Sequence, residues 1–123
     1  MQQDEIISIA GTIHQQLVSL TPINILLCWG ISGGMAATEY NGMAALTFKV
    51  NARLFAGRVI IAYNDGADTY QVYLRDKAGD RLAREDVYFD ELGGIIDEAI
   101  ESGTDPEEYH RFCRDEFSRI LQN

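Results

Sequence analysis

The residue types able to do chemistry here are a dense set of acids, two cysteines and two histidines. Ten acids fall between Glu85 and Glu108 (Glu85, Asp86, Asp90, Glu91, Asp97, Glu98, Glu101, Asp105, Glu107 and Glu108) with no Lys, Arg or His among them. Asp97 and Glu101 stand four apart, as a general acid and base on one helix would. They lie on the polar side of that helix, however, and exposed carboxylates keep near-ordinary pKa values unsuited to proton transfer. His14 and His110 have no Cys, His or carboxylate at metal-ligand spacing, so no zinc site is expected. Cys28 and Cys113 could pair with a histidine as nucleophile and base, but no elbow motif brings the types together. Both cysteines fall in apolar contexts and are expected to be buried free thiols.

Glycine and aspartate turns offer two further possibilities, and both fail on spacing. "GISGGM" (30–35) follows an apolar run as a phosphate loop would, yet Met35-Ala36 stand where Lys-Ser/Thr is needed. A glycine-rich turn or bulge is the expectation. A calcium loop opening at Asp65 or Asp76 would need an oxygen ligand at its third position, where Ala67 and Ala78 stand. The residues make no case for an enzyme, and no cofactor or metal is expected.

The elements that must position these residues follow from hydrophobic period. Ile6, Ile9, Ala10, Ile13, Leu17 and Leu20 predict a helix over 3–20, stopped at Thr21-Pro22. "INILLCWG" (23–30) is short, apolar and β-rich, and predicts a buried strand. A weak strand candidate, "MAATEY", is followed by the turn signal Asn41-Gly42. "ALTFKVN" alternates, with Leu46, Phe48 and Val50 on one face and Thr47, Lys49 and Asn51 on the other. "GRVIIAYN" (57–64) and "TYQVYLRD" (69–76) follow, the latter with Tyr70 inward and Tyr73 outward, and "RLAREDVY" can add a further strand. Leu92, Ile95, Ile96, Ala99 and Ile100 mark a helix capped by Asp90 and stopped at Gly103. Asp105 caps a last helix, with Glu108 closing a capping box. That helix is expected to bury Tyr109, Phe112, Cys113, Phe117, Ile120 and Leu121. Glu107–Arg111 and Asp115–Arg119 are expected as ion pairs on its wet side. The expected fold is α+β, in a single domain over 1–123. It is an antiparallel meander of four to five strands with one N-terminal helix and two C-terminal helices.

Charge narrows the function classes. The net charge is −9. Residues 1–62 hold three acids and three bases; residues 63–123 hold sixteen acids and seven bases. No basic stripe is visible along the sequence, so direct nucleic-acid binding and docking on anionic lipid are not expected. The N-terminal residues lack the basic and unbroken apolar regions of a signal peptide, and a cytoplasmic location is expected.

The run "ALTFKVNARLFAGRVIIAYNDGADTYQVYLRD", with "VYFDELGGIIDEAIE" after it, resembles a pattern found in small uncharacterised proteins and appended domains encoded by bacterial mobile elements. The resemblance covers residues 45–101. It implies a cytoplasmic bacterial accessory protein and transfers no catalytic or binding residue.

The base-free acidic stretch is the feature that calls for a function. Capping and helix dipoles account for Asp90, Glu91, Asp105, Glu107 and Glu108. Asp97, Glu98 and Glu101 are expected on the solvated face of a helix. The leading expectation is a non-enzymatic interaction module that presents Asp97, Glu98, Glu101, Glu107 and Glu108 to a basic protein. The alternatives are a small-ligand or enzymatic domain with a pocket near Trp29 and the "GISGG" turn, and a nucleic-acid mimic that occupies a DNA-binding protein.

Overall fold

In the computed structural model, which describes residues 1–122, the first helix is the one its period predicts. α1 spans Gln3–Leu20 and buries Ile6, Ala10, Ile13 and Leu17 on one stripe. Thr21 is extended ahead of Pro22 and ends it.

The next segment departs from expectation. Residues 23–28 form a helix, α2 (Ile23–Cys28), rather than a strand. Pro22 lacks an N–H and fixes φ, which suits a helix entry; its carbonyl accepts from the amides of Ile25 and Leu26. Leu26 and Trp29 point inward, while Ile23 and Leu27 face out. A short run that is apolar on every side carries no period to separate helix from strand.

Five strands follow as a meander, with neighbours in sequence paired antiparallel throughout. They are β1 (Ser32–Tyr40), β2 (Met43–Asn51), β3 (Ala56–Asn64), β4 (Thr69–Asp76) and β5 (Gly79–Val87). Asn41 and Gly42 both take positive φ, 49° and 77°. This is the geometry a two-residue hairpin needs, so the "NG" signal is met. Gly33 and Gly34 of "GISGG" sit at a bulge in β1, where the register shifts between Ser32 and Met35.

One face of the sheet carries Leu46, Phe48, Val50, Val59, Ile61, Val72 and Leu74. Ile13 and Leu17 of α1, Leu26 and Trp29, and the later helix residues Leu92, Ile96 and Ile100 close over it. The Trp29 ring stacks on Phe48 with centroids 6.3 Å apart. The layer is therefore filled around Trp29, while a hollow of about 490 Å³ between α1 and β1 is lined by His14 and by Ile31, Gly34 and Met35 of the glycine turn.

The other face is concave. Five strands at about 4.8 Å spacing would set the two edges of a flat sheet roughly 19 Å apart. Yet the Tyr40 hydroxyl on edge strand β1 donates to Asp80 on edge strand β5 at 2.9 Å. The sheet curls toward this face, and its small residues allow it. Ala45 and Ala62, with Ile60, are fully covered there, and Tyr40, Met43 and Tyr73 pack on them. Tyr73 is outward, as expected, and its ring meets Tyr40 at 4.6 Å.

α3 (Leu92–Asp97) runs into one π-helical turn, Glu98–Ser102, and α4 spans Pro106–Gln122. Asp90 is not the cap of α3. Glu91 holds that position without a side-chain cap, its carboxylate accepting instead from the Tyr88 amide. Asp105 does cap α4, accepting from the amides of Glu107 and Glu108 at 3.1 and 3.2 Å. No helix among the described residues is long and apolar enough to cross a membrane.

Gly93 fixes how closely α3 approaches the end of α1. A Cβ there would fall 2.2 Å from the Thr21 hydroxyl and 2.9 Å from its methyl. Alanine in a helix gains up to about 1 kcal/mol over glycine, but overpacking costs about 1–3 kcal/mol. Gly93→Ala is expected to lower the urea unfolding midpoint; a higher midpoint would show that the α1–α3 contact gives way. The same Thr21 hydroxyl is buried and has no hydrogen-bond partner among the described residues. Thr21→Val is expected to stabilise by about 1 kcal/mol through removal of that orphan group.

Candidate functional site

The acids that the sequence grouped together are separated by the fold. Asp97 is half-buried and accepts from the Trp29 indole N–H at 2.9 Å, which ties α3 to α2. Glu101 is 4% exposed, and its carboxylate accepts from the Arg53 amide at 3.0 Å. The expected solvated face is thus corrected at both positions. At Asp97, which precedes the π turn, the Trp29 indole supplies the partner; at Glu101 the cause is the π turn, which widens the helix and carries Ile100 and Glu101 inward together. Glu108 pairs with the Arg53 guanidinium at 3.0 Å and so does not close a capping box. Glu98 and Glu107 remain exposed. Glu98 shares a small hollow with Arg81 and Arg84 of β5, so it has bases nearby in space that it lacks in sequence.

Arg53 organises this region. Its Nε donates to the Glu101 carbonyl at 2.8 Å and its Nη2 to the Ser102 carbonyl at 2.9 Å. Its guanidinium carbon stands 5.2 Å from the centre of the Tyr109 ring and 5.3 Å from that of Phe112. α4 is thereby held by its first turns. Beyond them the expected burial fails: Phe117, Ile120 and Leu121 are 63%, 67% and 70% exposed. None of the described residues covers them. On the wet side Arg119 pairs with Glu116 rather than Asp115, and no Glu107–Arg111 pair forms among the described residues.

The two cysteines are exposed free thiols, not buried ones. Both flank Tyr109. Burial raises the Cys28 thiol above its ordinary pKa; Tyr109 opposes the shift, and Glu101, Cys113 and Asp97 add to it. Tyr109 is likewise raised, by burial first and then by Glu101 and Cys113. A raised thiol holds less thiolate near neutral pH, the opposite of what a nucleophile needs.

Acids without bases do gather elsewhere. The β3–β4 turn brings Asp65 and Asp68 to the end of the sheet where β5 leaves it with Glu85 and Asp86. Thr69 donates to Asp86 there at 3.4 Å, and the Tyr63 hydroxyl donates to Asp68 at 2.6 Å, an interaction that raises Tyr63 to about 12. Asp86 sits at positive φ, 55°, beside a register shift between β4 and β5. The bulge turns the chain so that Tyr88 and Phe89 project, 59% and 51% exposed. Asp90 and Glu91 follow directly. Two adjacent exposed aromatics, flanked along the chain by the exposed Glu85, Asp86, Asp90 and Glu91, form the acidic pole of the molecule. Of these acids the sequence assigns only Asp90 and Glu91 to a helix start, and it does not mark out the aromatic pair; the unbroken "EDVYFDE" is the signal that points to it.

No protein-family model, curated protein or solved structure matches the chain.

Arg53→Met should cost on the order of 3 kcal/mol, since it removes charge-assisted hydrogen bonds and both ring contacts. Faster amide exchange confined to α4 is the expected companion; unchanged exchange would mean that Tyr109 and Phe112 hold the helix unaided. In a Cys113→Ser background, Cys28 should alkylate more slowly than a free model thiol at pH 8. Equal or faster alkylation would overturn the assignment of a raised pKa.

Proposed function

We propose that the chain is a non-enzymatic protein-interaction module whose acidic pole receives a basic partner. The carrying observation is the exposed Tyr88–Phe89 pair, with Glu85, Asp86, Asp90 and Glu91 around it and no base in the segment. Aromatic rings supply contact area and accept Arg or Lys over their faces. The surrounding carboxylates add steering and select against acidic partners. Of the five helical acids expected to face the partner, Glu98 and Glu107 are exposed, and Glu98 has Arg81 and Arg84 beside it. Asp97, Glu101 and Glu108 hold the fold through Trp29 and Arg53, and charge reversal there would test stability rather than binding. The proposed setting is the bacterial cytoplasm; free thiols and a net charge of −9 suit it.

A labelled Arg/Lys-rich peptide provides the test. It should bind the wild type at low salt and be lost at high salt. Tyr88→Ala with Phe89→Ala should weaken it at least about tenfold, as for hot-spot aromatics, while far-ultraviolet circular dichroism stays unchanged. Undiminished binding by this variant and by Asp90→Lys with Glu91→Lys would overturn the proposal.

A further inference from the structure

The bases of this acidic chain are scattered in sequence but not in space. Strand register sets Lys49 opposite Arg58, and Arg58 opposite Arg75. All three project from the concave face, on adjacent strands about 5 Å apart. With Lys77 they line a groove of about 1080 Å³ at the end of the sheet opposite the acidic pole, where Asp76 is the one carboxylate in the lining. The absence of a basic stripe, expected from sequence, is corrected here: residues 9 and 17 positions apart become neighbours through two hairpins.

Like charges placed directly across strands destabilise a sheet. Charged residues that guard a sheet against edge pairing belong on edge strands, whereas β2, β3 and β4 are the three central ones. Arg75 is neutralised by Asp80, which it grips through two nitrogens at 2.7 and 3.0 Å. Lys49, Arg58 and Lys77 make no ion pair among the described residues; Arg58 has only the Thr47 hydroxyl, at 3.4 Å. Arg75 belongs to the Tyr40–Asp80 contact, its guanidinium lying 5.8 Å from the centre of the Tyr40 ring, whereas the placement of Lys49 beside Arg58 serves no structural purpose that the fold shows.

We propose that the groove binds a small molecule carrying a di- or triphosphate. Lys49 and Arg58 stand one strand spacing apart, about 5 Å, with Lys77 in the same lining; a short phosphate chain suits such a set, and a guanidinium fork is matched to phosphate oxygens. The occupant is compact. A nucleic-acid strand running along the sheet would meet Asp65, Asp68 and Asp86 about 20 Å further on, and a flat bilayer does not enter a concave face.

Inorganic tripolyphosphate, pyrophosphate and orthophosphate at matched ionic strength are the probes, read by melting temperature and titration calorimetry. A saturable rise in melting temperature is expected, with affinity falling from tripolyphosphate to orthophosphate. Lys49→Gln with Arg58→Gln should bind tripolyphosphate at least about tenfold more weakly and, without ligand, melt no lower than the wild type. Lys49→Gln alone should bind several-fold more weakly with unchanged melting, which separates binding from any folding defect of the double variant. Four results would each overturn the proposal: no saturable shift for the wild type; undiminished binding by both variants; equal binding per phosphate by a short DNA duplex or by anionic vesicles; or a concentration-dependent dimer abolished by the double variant, which would make the acids of a second copy the occupant.

Discussion

The C-terminal third of the molecule depends on where one arginine sits. Arg53 lies in the connection between β2 and β3, and from there it reaches the last carbonyls of the π turn, the first turn of α4 and two aromatic rings. Its own amide meets the buried Glu101 carboxylate. Burial of a charge is tolerated only where bonds replace water, so the inward position of Glu101 and the placement of α4 form one arrangement. The π turn belongs to it as well, because an unwidened helix would not bring Ile100 and Glu101 inward side by side.

Charge is organised by the sheet rather than by the helices. The meander collects turns at two ends, and register decides which charges meet there. One end gathers Asp65, Asp68 and Asp86; the other gathers Lys49, Arg58, Arg75 and Lys77. A net charge of −9 thus describes neither end. An acidic chain can hold a basic groove, and composition excludes only functions that need the whole surface to carry one sign.

Much of the fold was legible because its periods are strong. Leu46, Phe48 and Val50 alternate with Thr47, Lys49 and Asn51 as the sheet requires, and α1 buries four residues of its predicted stripe. The failures have particular causes. "INILLC" has no polar side to reveal its period, so its helix was hidden. The apolar positions of α4 show that the helix is amphipathic, but periodicity does not say whether anything covers that side; Phe117, Ile120 and Leu121 are bare. Glu101 looks solvated on an ideal α-helical wheel, and a π turn breaks that wheel; Asp97 is met by Trp29 from another helix, which no wheel can show. The basic row was illegible because cross-strand register, not proximity in sequence, creates it.

The nearest-neighbour order of the strands also bears on how the chain reaches this state. Each of the four hairpins closes a short loop, so the sheet can zip from its Asn41-Gly42 turn and its other turns at small entropic cost. The C-terminal helices are tied back by contacts that span the chain, among them Trp29 to Asp97 and Arg53 to Glu101 and Glu108, separated by 68, 48 and 55 positions. These close the longest loops and have little to bind until the sheet exists. A formed meander awaiting its C-terminal helices, with the Phe48 face still bare, is the order of assembly that this topology favours.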